Sequence, residues 1–583
     1  MIKTIDETAV WVLKLWVVAL VAAPVGSTRA QDGASLQPQG LERAGIYALR
    51  QLDPGLTGAG VRFGVVCRSF TYNEEEEPQN DYRPNVGHNC FQAADLHFLD
   101  AGALDAGVSP HSTAICSILF GSDPRGIAES LNPFVYEGAV PDAEAYIYEF
   151  QHFVTEYVTA ESRPDLDVLA ASFGYPFETW WTRGIESWAE HEGLIVVASI
   201  GNGANVSDPP FYPGAGSNAI GVGVVSSVNT EDAATNLAHF ALAYPEQSSR
   251  GPTDDDRCKP DLIAPGNCLA AGTANEADYI TSGNWSSFST PVAAGVVGLL
   301  VQAAGQDQRL ENALAPDGGN CVMKAILMNS ATKLPFWHRG KLSDEDDCEA
   351  PLDYVQGAGM VNAVGAYQLL KAGQGVAGDV APAGWDLARL DADRSVQKVY
   401  RFVLDNSADK VITATLAWNR HYRRAYPFDR ISARDNDLRL EVWAVDPENS
   451  GRELLWPWSD SKTDNVEHVH VEAKAEYAMY EIVVSYSDFD GPAGAGERYA
   501  LAWSVGEKLP DESFFWHDLN ADGIVDEHDL GVLMNNWIAG LKSPEAYLIG
   551  DVNRDGRIDV DDMQALYAER NRRADWHMGG AAN

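Results

Sequence analysis

Three short stretches of this chain hold side chains whose types suit nucleophilic chemistry. The segment HSTAICSILFG starts at His111, where a helical pattern begins. An imidazole there suits a general base, because its proton affinity lies near neutral pH. The segment SSFSTPVAAGVVGLL starts at Ser286, with Pro291 placed in the first turn of an apolar helix. The Ser287 hydroxyl then lies near the positive end of a helix dipole, beside backbone N–H groups without intrahelical partners. Such groups stabilise a developing oxyanion. Between them, IVVASIGNGAN reads as a buried strand ending in a glycine-rich turn at Asn202, whose amide can donate to the same oxyanion. Taken singly, each residue has a plainer reading: a structural His, a helix-capping Ser, a turn Asn.

A second chemistry is written twice near the C-terminus. Asp518, Asn520, Asp522, Asp526 and Asp529 fill positions 1, 3, 5, 9 and 12 of one loop. Asp551, Asn553, Asp555, Asp559 and Asp562 repeat the pattern 33 residues later. Oxygen ligands at that spacing surround a hard cation, with the position-7 carbonyl (Ile524, Arg557) and a glycine at position 6 for the sharp turn. Two Ca²⁺ sites are therefore expected. Position 12 is Asp where Glu is usual, a shorter arm for bidentate coordination. A helix is expected after each loop, over 530–537 and 563–570.

These groups need elements to position them. From about 40 to 376, β-branched apolar runs at 61–66, 145–148, 168–171, 194–198 and 219–225 alternate with helical patterns at 112–120, 291–304 and 322–330. That alternation predicts an α/β domain, a parallel sheet with helices on both faces. From 380 to 507, runs at 410–418, 438–445, 466–471, 480–486 and 499–503 are separated by turn residues, which predicts an antiparallel β-sandwich. The acidic stretch 511–575 is then a small α module carrying the two calcium loops. The chain reads as multidomain.

Composition narrows the function classes. The 583 residues exceed one ordinary domain. With 84 acidic and 42 basic residues the formal net charge is −42, a surface that repels phosphate backbones, so no nucleic-acid partner is expected. Apolar content of 45% excludes wholesale disorder. The seven cysteines are too few for a disulfide scaffold, and an odd number leaves at least one unpaired. Cys258–Cys268 and Cys321–Cys348 are plausible pairs. Residues 15–25 form an apolar run suited to a signal-peptide core, and Thr28-Arg29-Ala30 offers a cleavage site. Residues 1–30 are thus expected to be a signal peptide, the mature chain secreted or at the cell surface, with no membrane span after cleavage.

The stretches GAVPDAEAYIYEF, SSRGPTDDDRCKPDLIAPG, KAILMNSATK and GAGMVNAVGA join the His, Asn and Ser segments in one order. With them, residues 40–376 resemble the subtilisin-like serine proteases. The resemblance implies Ser287 as nucleophile, His111 as general base, and Asn202 with the Ser287 backbone N–H as oxyanion hole. It also implies two substrate-binding walls, Ser172-Phe173-Gly174 and Ala198-Ser199-Ile200-Gly201, along which an extended peptide adds as a strand. Protein or peptide substrates would be cleaved through an acyl-enzyme. Residues 380–507 are similar to the sandwich that follows the catalytic domain in some alkaline members. The C-terminal repeat closely resembles a dockerin domain, which implies a cohesin-type scaffold module as partner. Loop positions 10 and 11, usual in its recognition, are Glu527-His528 and Val560-Asp561, and the two copies differ.

The pattern breaks at one point that matters. Cys67 stands where the family holds the triad aspartate. That carboxylate fixes the His tautomer and stabilises the imidazolium, and its loss costs roughly 10⁴-fold in rate. Three readings stay open. A substitute carboxylate comes from 74–77, Asp95, Asp100 or Asp105. Cys67 forms a thiolate paired with His111, which a disulfide to Cys90 or Cys116 would exclude. Or the chain is a pseudoprotease that binds peptides without turnover. In addition, Trp285-Ser286 replaces the family's Gly-Thr before the nucleophile, adding bulk at Trp285.

Overall fold

The computed structural model describes residues 36–67, 81–100, 107–128, 133–203, 209–225, 248–334, 337–340, 346–393, 395–432, 435–446, 451–487, 496–508, 517–542, 549–553 and 558–574. The signal-peptide stretch 1–30, the acidic run 74–77, Asp105, Asp555 and Arg557 lie outside the described residues.

Seven strands form the central sheet: β1 (Arg62–Cys67), β2 (Asp95–Leu99), β3 (Glu144–Glu149), β4 (Val168–Ala171), β5 (Ile195–Ser199), β6 (Ile220–Val225) and β7 (Leu262–Pro265). Their order is β7-β6-β5-β4-β1-β3-β2, and every pair is parallel. Successive side chains point to opposite faces, so each strand feeds two cores. Val65, Ala170 and Val197 join one core with Ile115 and Val296 from helices α2 (Pro110–Phe120) and α4 (Ser286–Gly305). Val66, Leu169 and Val196 join the other with Ile185 and Trp188 from α3 (Trp180–Glu192). Strands buried on both faces must be apolar throughout, which is why they read as continuous β-branched runs.

Helix α4 begins at Ser286, five residues before the expected start at Pro291. Trp285 is extended (φ −121°, ψ 145°) and acts as the N-cap. Pro291 therefore sits inside the helix, where its missing N–H leaves the Ser287 carbonyl without an i→i−4 partner. The hydroxyls of Ser289 and Thr290 back-bond to the Ser286 carbonyl at 3.1 and 2.8 Å, reinforcing the same turn. Helix α4 is long and apolar enough to cross a membrane, yet its most apolar window is 89% buried within the fold, so it is a core helix.

The second region holds two sheets. Gly378–Asp379, β9 (Gln397–Val403), β14 (Met479–Tyr486), β11 (Leu438–Asp446) and β12 (Gly451–Leu454) form one; β8 (Gly384–Leu390), β15 (Glu497–Glu507), β10 (Lys410–Trp418) and β13 (Val466–Glu472) form the other. Phe402, Leu440 and Ile482 from the first share one core with Leu416, Val469 and Leu501 from the second. This region is tied to the first by buried polar contacts. His421 bonds Glu190 of α3 at 2.7 Å and Glu497 of β15 at 3.2 Å, and Arg339 donates to the carbonyls of His468 and Trp458 at 2.9 and 2.8 Å.

All seven cysteines are free, which corrects the two expected disulfides. Cys258 is tied through its amide to Asp464 of the second region, while the Cys268 amide bonds Ser282. Cys321 lies buried within α5 (Gly319–Asn329), and Cys348 sits in a partly exposed loop whose carbonyl accepts from Asp460.

Candidate active site

The carboxyl ends of the parallel strands converge on one crevice, the place where open α/β sheets hold ligands. Cys67 ends β1, Ser172 follows β4, and Ile200-Gly201-Asn202 follow β5. Into this end points the first turn of α4. Ser287 is its second residue, 9% exposed, and its hydroxyl donates to the Ser172 carbonyl at 3.0 Å.

Asn202 is held by the residue before the serine. Its Oδ1 accepts from the Ser286 N–H at 2.8 Å and from the Ser286 hydroxyl at 2.7 Å. With the oxygen occupied twice, the amide nitrogen is the end left to donate, and Asn202 itself is exposed. The buried Ser286 hydroxyl thus orients the Asn202 amide. The Trp285 indole packs over Gly283, with Nε1 2.9 Å from where a Cβ on that glycine would sit.

His111 is the second residue of α2, whose start is fixed by Pro110 and by the Ser109 hydroxyl accepting from Ser112 N–H at 3.2 Å. Its ring centroid lies 5.7 Å from that of Phe288, the neighbour of Ser287. His111 and Phe288 thus lie where α2 packs on α4. Burial pushes the His111 pKa down to about 4, so the imidazole is neutral and able to accept a proton at neutral pH.

Cys67 is buried at the end of β1, and burial pushes its thiol up to about 12, offset only in part by contact with the Ser112 side chain. Cys67 is thus a neutral thiol at the end of β1, which weighs against the reading in which it forms a thiolate paired with His111. Of the proposed substitute carboxylates, Asp95 lies away from Cys67. Asp95 pairs in register with Glu144 at the opposite end of the sheet, five residues and about 16 Å of strand from the level of Cys67. Asp100 accepts from the Tyr82 hydroxyl at 2.6 Å and from Arg83 at 2.5 Å. Glu149, opposite Cys67 in register, caps the next helix by accepting from His152 N–H at 2.7 Å.

The two expected walls both reach the crevice. Ser172 and Phe173 are buried, as are Ala198, Ser199, Ile200 and Gly201. The wall from 172 is continued by a two-way backbone bridge between Tyr175 and Tyr212 (2.9 and 2.7 Å). One neighbour was not foreseen: Phe211, whose amide bonds the Ile200 carbonyl at 2.8 Å. It is distant in sequence from the first wall and follows ten residues after Gly201 of the second, and nothing in its local pattern marks it.

The two acidic loops share one hydrogen-bond scheme. Asp529 accepts from Leu519, Asn520 and Asp526 N–H at 2.6, 3.3 and 2.7 Å; Asp562 accepts from Val552, Asn553 and Asp559 N–H at 2.8, 3.1 and 2.8 Å. In the first loop Asp518 also accepts from the Asp522 and Gly523 amides, and Asn520 donates to Asp522. Burial together with Asp522 raises the Asp529 pKa to about 7, and burial with Asp529 pushes Asp518 up as well. Carboxylates crowded in this way favour a bound cation, and the all-oxygen donor set fits a hard one. Helices α6 (Glu527–Lys542) and α7 (Val560–Ala568) follow the loops. Unforeseen is the docking of the first loop on α1 (Gln39–Arg43): buried Arg43 donates to the Asp518 carbonyl at 3.0 Å and Gln39 to Asn536 Oδ1 at 2.7 Å.

Comparison with known proteins agrees with this division. A family model described as Subtilase family matches residues 82–362, and one described as Dockerin type I domain matches residues 516–569. The first match begins beyond Cys67. Serine protease AprX of Bacillus subtilis is 28% identical over 227 residues, 35% of this chain and 43% of that protein. Pyrolysin of Pyrococcus furiosus is 27% identical over 211 residues, covering 32% and 13%. C5a peptidase of Streptococcus pyogenes is 35% identical over 219 residues, covering 37% and 16%. The chain thus spans less than half the length of these relatives. Its parallel-sheet region carries a subtilase domain of the peptidase S8 family, joined on the C-terminal side to a dockerin type I domain.

Proposed function

We propose that the chain is an exported serine endopeptidase in which Ser287 attacks the scissile carbonyl and His111 takes its proton. The developing oxyanion is met by the Asn202 amide and the Ser287 backbone N–H. The observation that carries this reading is the double hydrogen bond from Ser286 to Asn202 Oδ1, because it presets a donor beside the nucleophile before substrate arrives. A rotation about the Ser287 side chain transfers its hydroxyl from the Ser172 carbonyl to the imidazole. Peptide substrates lie between the walls 172–174 and 198–201, and the acyl-enzyme is then hydrolysed by water activated by the same His111. Serine-dependent labelling by a fluorophosphonate, lost in Ser287→Ala, tests this.

With Cys67 in place of the aspartate, that position carries no charge to support the imidazolium, and without a carboxylate from elsewhere turnover falls roughly 10⁴-fold below an intact triad. The neutral thiol also favours a second reading, a pseudoprotease that holds peptides without cleaving them.

Dockerin type I domains bind calcium. In this one, Asp518, Asn520, Asp522, Asp526, Asp529 and the Ile524 carbonyl would hold one Ca²⁺, and Asp551, Asn553, Asp555, Asp559, Asp562 and the Arg557 carbonyl a second. The ions neutralise the crowded carboxylates and fix the helices that follow. A cohesin-type module is the partner that a dockerin domain implies, and residues 380–507 form a supporting β-sandwich. Secretion or cell-surface retention after removal of residues 1–30 fits both modules.

A further inference from the structure

We propose that Phe211 closes the base of the slot between the two substrate walls and restricts cleavage to bonds that follow a small residue, Gly, Ala or Ser. The inference rests on the proposed roles of Ser287, Asn202 and the walls. A carbonyl attacked by Ser287 and received by Asn202 has a fixed place. The side chain on the same residue, the one just before the scissile bond, must then drop between the strand end at 172–174 and the strand end at 198–201. Both walls finish in glycine there, Gly174 and Gly201, and bare backbone on each side would leave room for a large side chain.

Phe211 takes that room. A Cβ built on Gly174 would lie 2.8 Å from Phe211 Cβ, and one built on Gly201 would lie 3.2 Å from Phe211 Cγ. The phenylalanine therefore touches both walls at once, at their glycines. Gly201 has φ +110°, a conformation other residues rarely adopt, so this wall cannot recede by changing sequence alone. Nor can Phe211 swing out with its backbone. Its N–H is bonded to the Ile200 carbonyl at 2.8 Å, and the next residue, Tyr212, is bonded in both directions to Tyr175. Phe211 is half-buried. A substrate side chain of more than one or two heavy atoms that drops between the two glycines meets it. Discrimination by such a plug follows from overlap, a stronger rejection than the gain or loss of one methylene contact in an open pocket.

The test uses the full-length chain and peptide substrates that differ only in the residue before the scissile bond: Gly, Ala, Leu or Phe. The wild type should cleave after Ala at least tenfold more efficiently than after Phe, as kcat/KM. Phe211→Gly should reverse that ratio by at least tenfold, and Phe211→Leu should fall between, with melting temperatures showing that both variants fold. A wild type that prefers Leu or Phe, or an unchanged ratio in Phe211→Gly, overturns the proposal. Binding of the same peptides to Ser287→Ala, followed by fluorescence anisotropy, separates the slot from the chemistry. Size selection in binding that Phe211→Gly abolishes supports the plug even where the wild type cleaves nothing and the catalytic reading fails. Binding that ignores residue size overturns the plug even where Ser287 is catalytic.

Discussion

Ser286 gives both its backbone N–H and its hydroxyl to a single oxygen of Asn202, at 2.8 and 2.7 Å. Two donors on Oδ1 fix which end of the amide is free to donate, so the proposed oxyanion donor is oriented by the buried Ser286. Asn202→Ala should slow Ser287 acylation by about 10²–10³-fold, the usual cost of one oxyanion-hole donor. Ser286→Ala keeps the backbone bond and should slow it by roughly tenfold, while Ser286→Thr retains activity. Fluorophosphonate labelling rates measure all three.

Cys67→Asp places a carboxylate at the end of β1, beside the first turn of α2. Acylation of Ser287 should rise by at least about 10²-fold, approaching the roughly 10⁴ that the aspartate supplies in an intact triad. Cys67→Ser should leave it unchanged, because a buried neutral thiol and a hydroxyl are alike in lacking charge. Alkylation of the native chain at pH 8 should spare Cys67, whose thiol is held up to about 12. Thiol titration after denaturation without reductant should return all seven cysteines.

Protonation of His111 removes the base, so the acid limb of labelling should fall near pH 4, below the ordinary histidine range, since burial holds its pKa there. In stability terms the unfolded chain binds this proton more readily, so stability drops as pH falls from about 6.5 towards 4. His421 has the opposite sign. Burial alone would depress it, but hydrogen bonds to Glu190 and Glu497 outweigh burial and raise its pKa to about 9. Its contribution is full below about pH 6.5 and is lost as pH rises through about 9. Thermal melts from pH 7 to 10 should show that decline in the wild type and a flatter profile in His421→Gln.

Calcium removal should loosen more than the C-terminal module. Chelation leaves Asp518, Asp522 and Asp529 to repel one another and should lower the helical signal from α6 and α7. Calcium at 100 times its dissociation constant stabilises the bound form by about 2.7 kcal/mol. Through Arg43 on the Asp518 carbonyl, the same change reaches α1, so limited proteolysis near residues 36–60 should speed up on chelation. Arg43→Ala should weaken that coupling, at a stability cost of about 1–3 kcal/mol for the buried acceptor left behind.

Much of this was legible in the chain because it is local. Strands β1 and β4–β6 appear as apolar runs since burial on both faces leaves no polar alternation, and the two acidic loops of the dockerin domain are legible because their side chains are close in sequence. The start of α4 was misplaced by five residues because Pro291 looks like a first-turn proline, whereas Trp285 is the N-cap. Long-range contacts left no local trace. Phe211 wedged against Gly174 and Gly201, Arg43 reaching the first acidic loop, and the fate of Asp95 at the far end of the sheet all depend on how separate segments meet. The two disulfides failed for the same reason, since spacing along the chain does not say where a thiol points.

The most direct measurement is fluorophosphonate labelling of the full-length chain with calcium present, beside Ser287→Ala. Slow labelling of the wild type, absent in Ser287→Ala and accelerated in Cys67→Asp, is the result this account predicts. No labelling of the wild type, or equal labelling of Ser287→Ala, would contradict it.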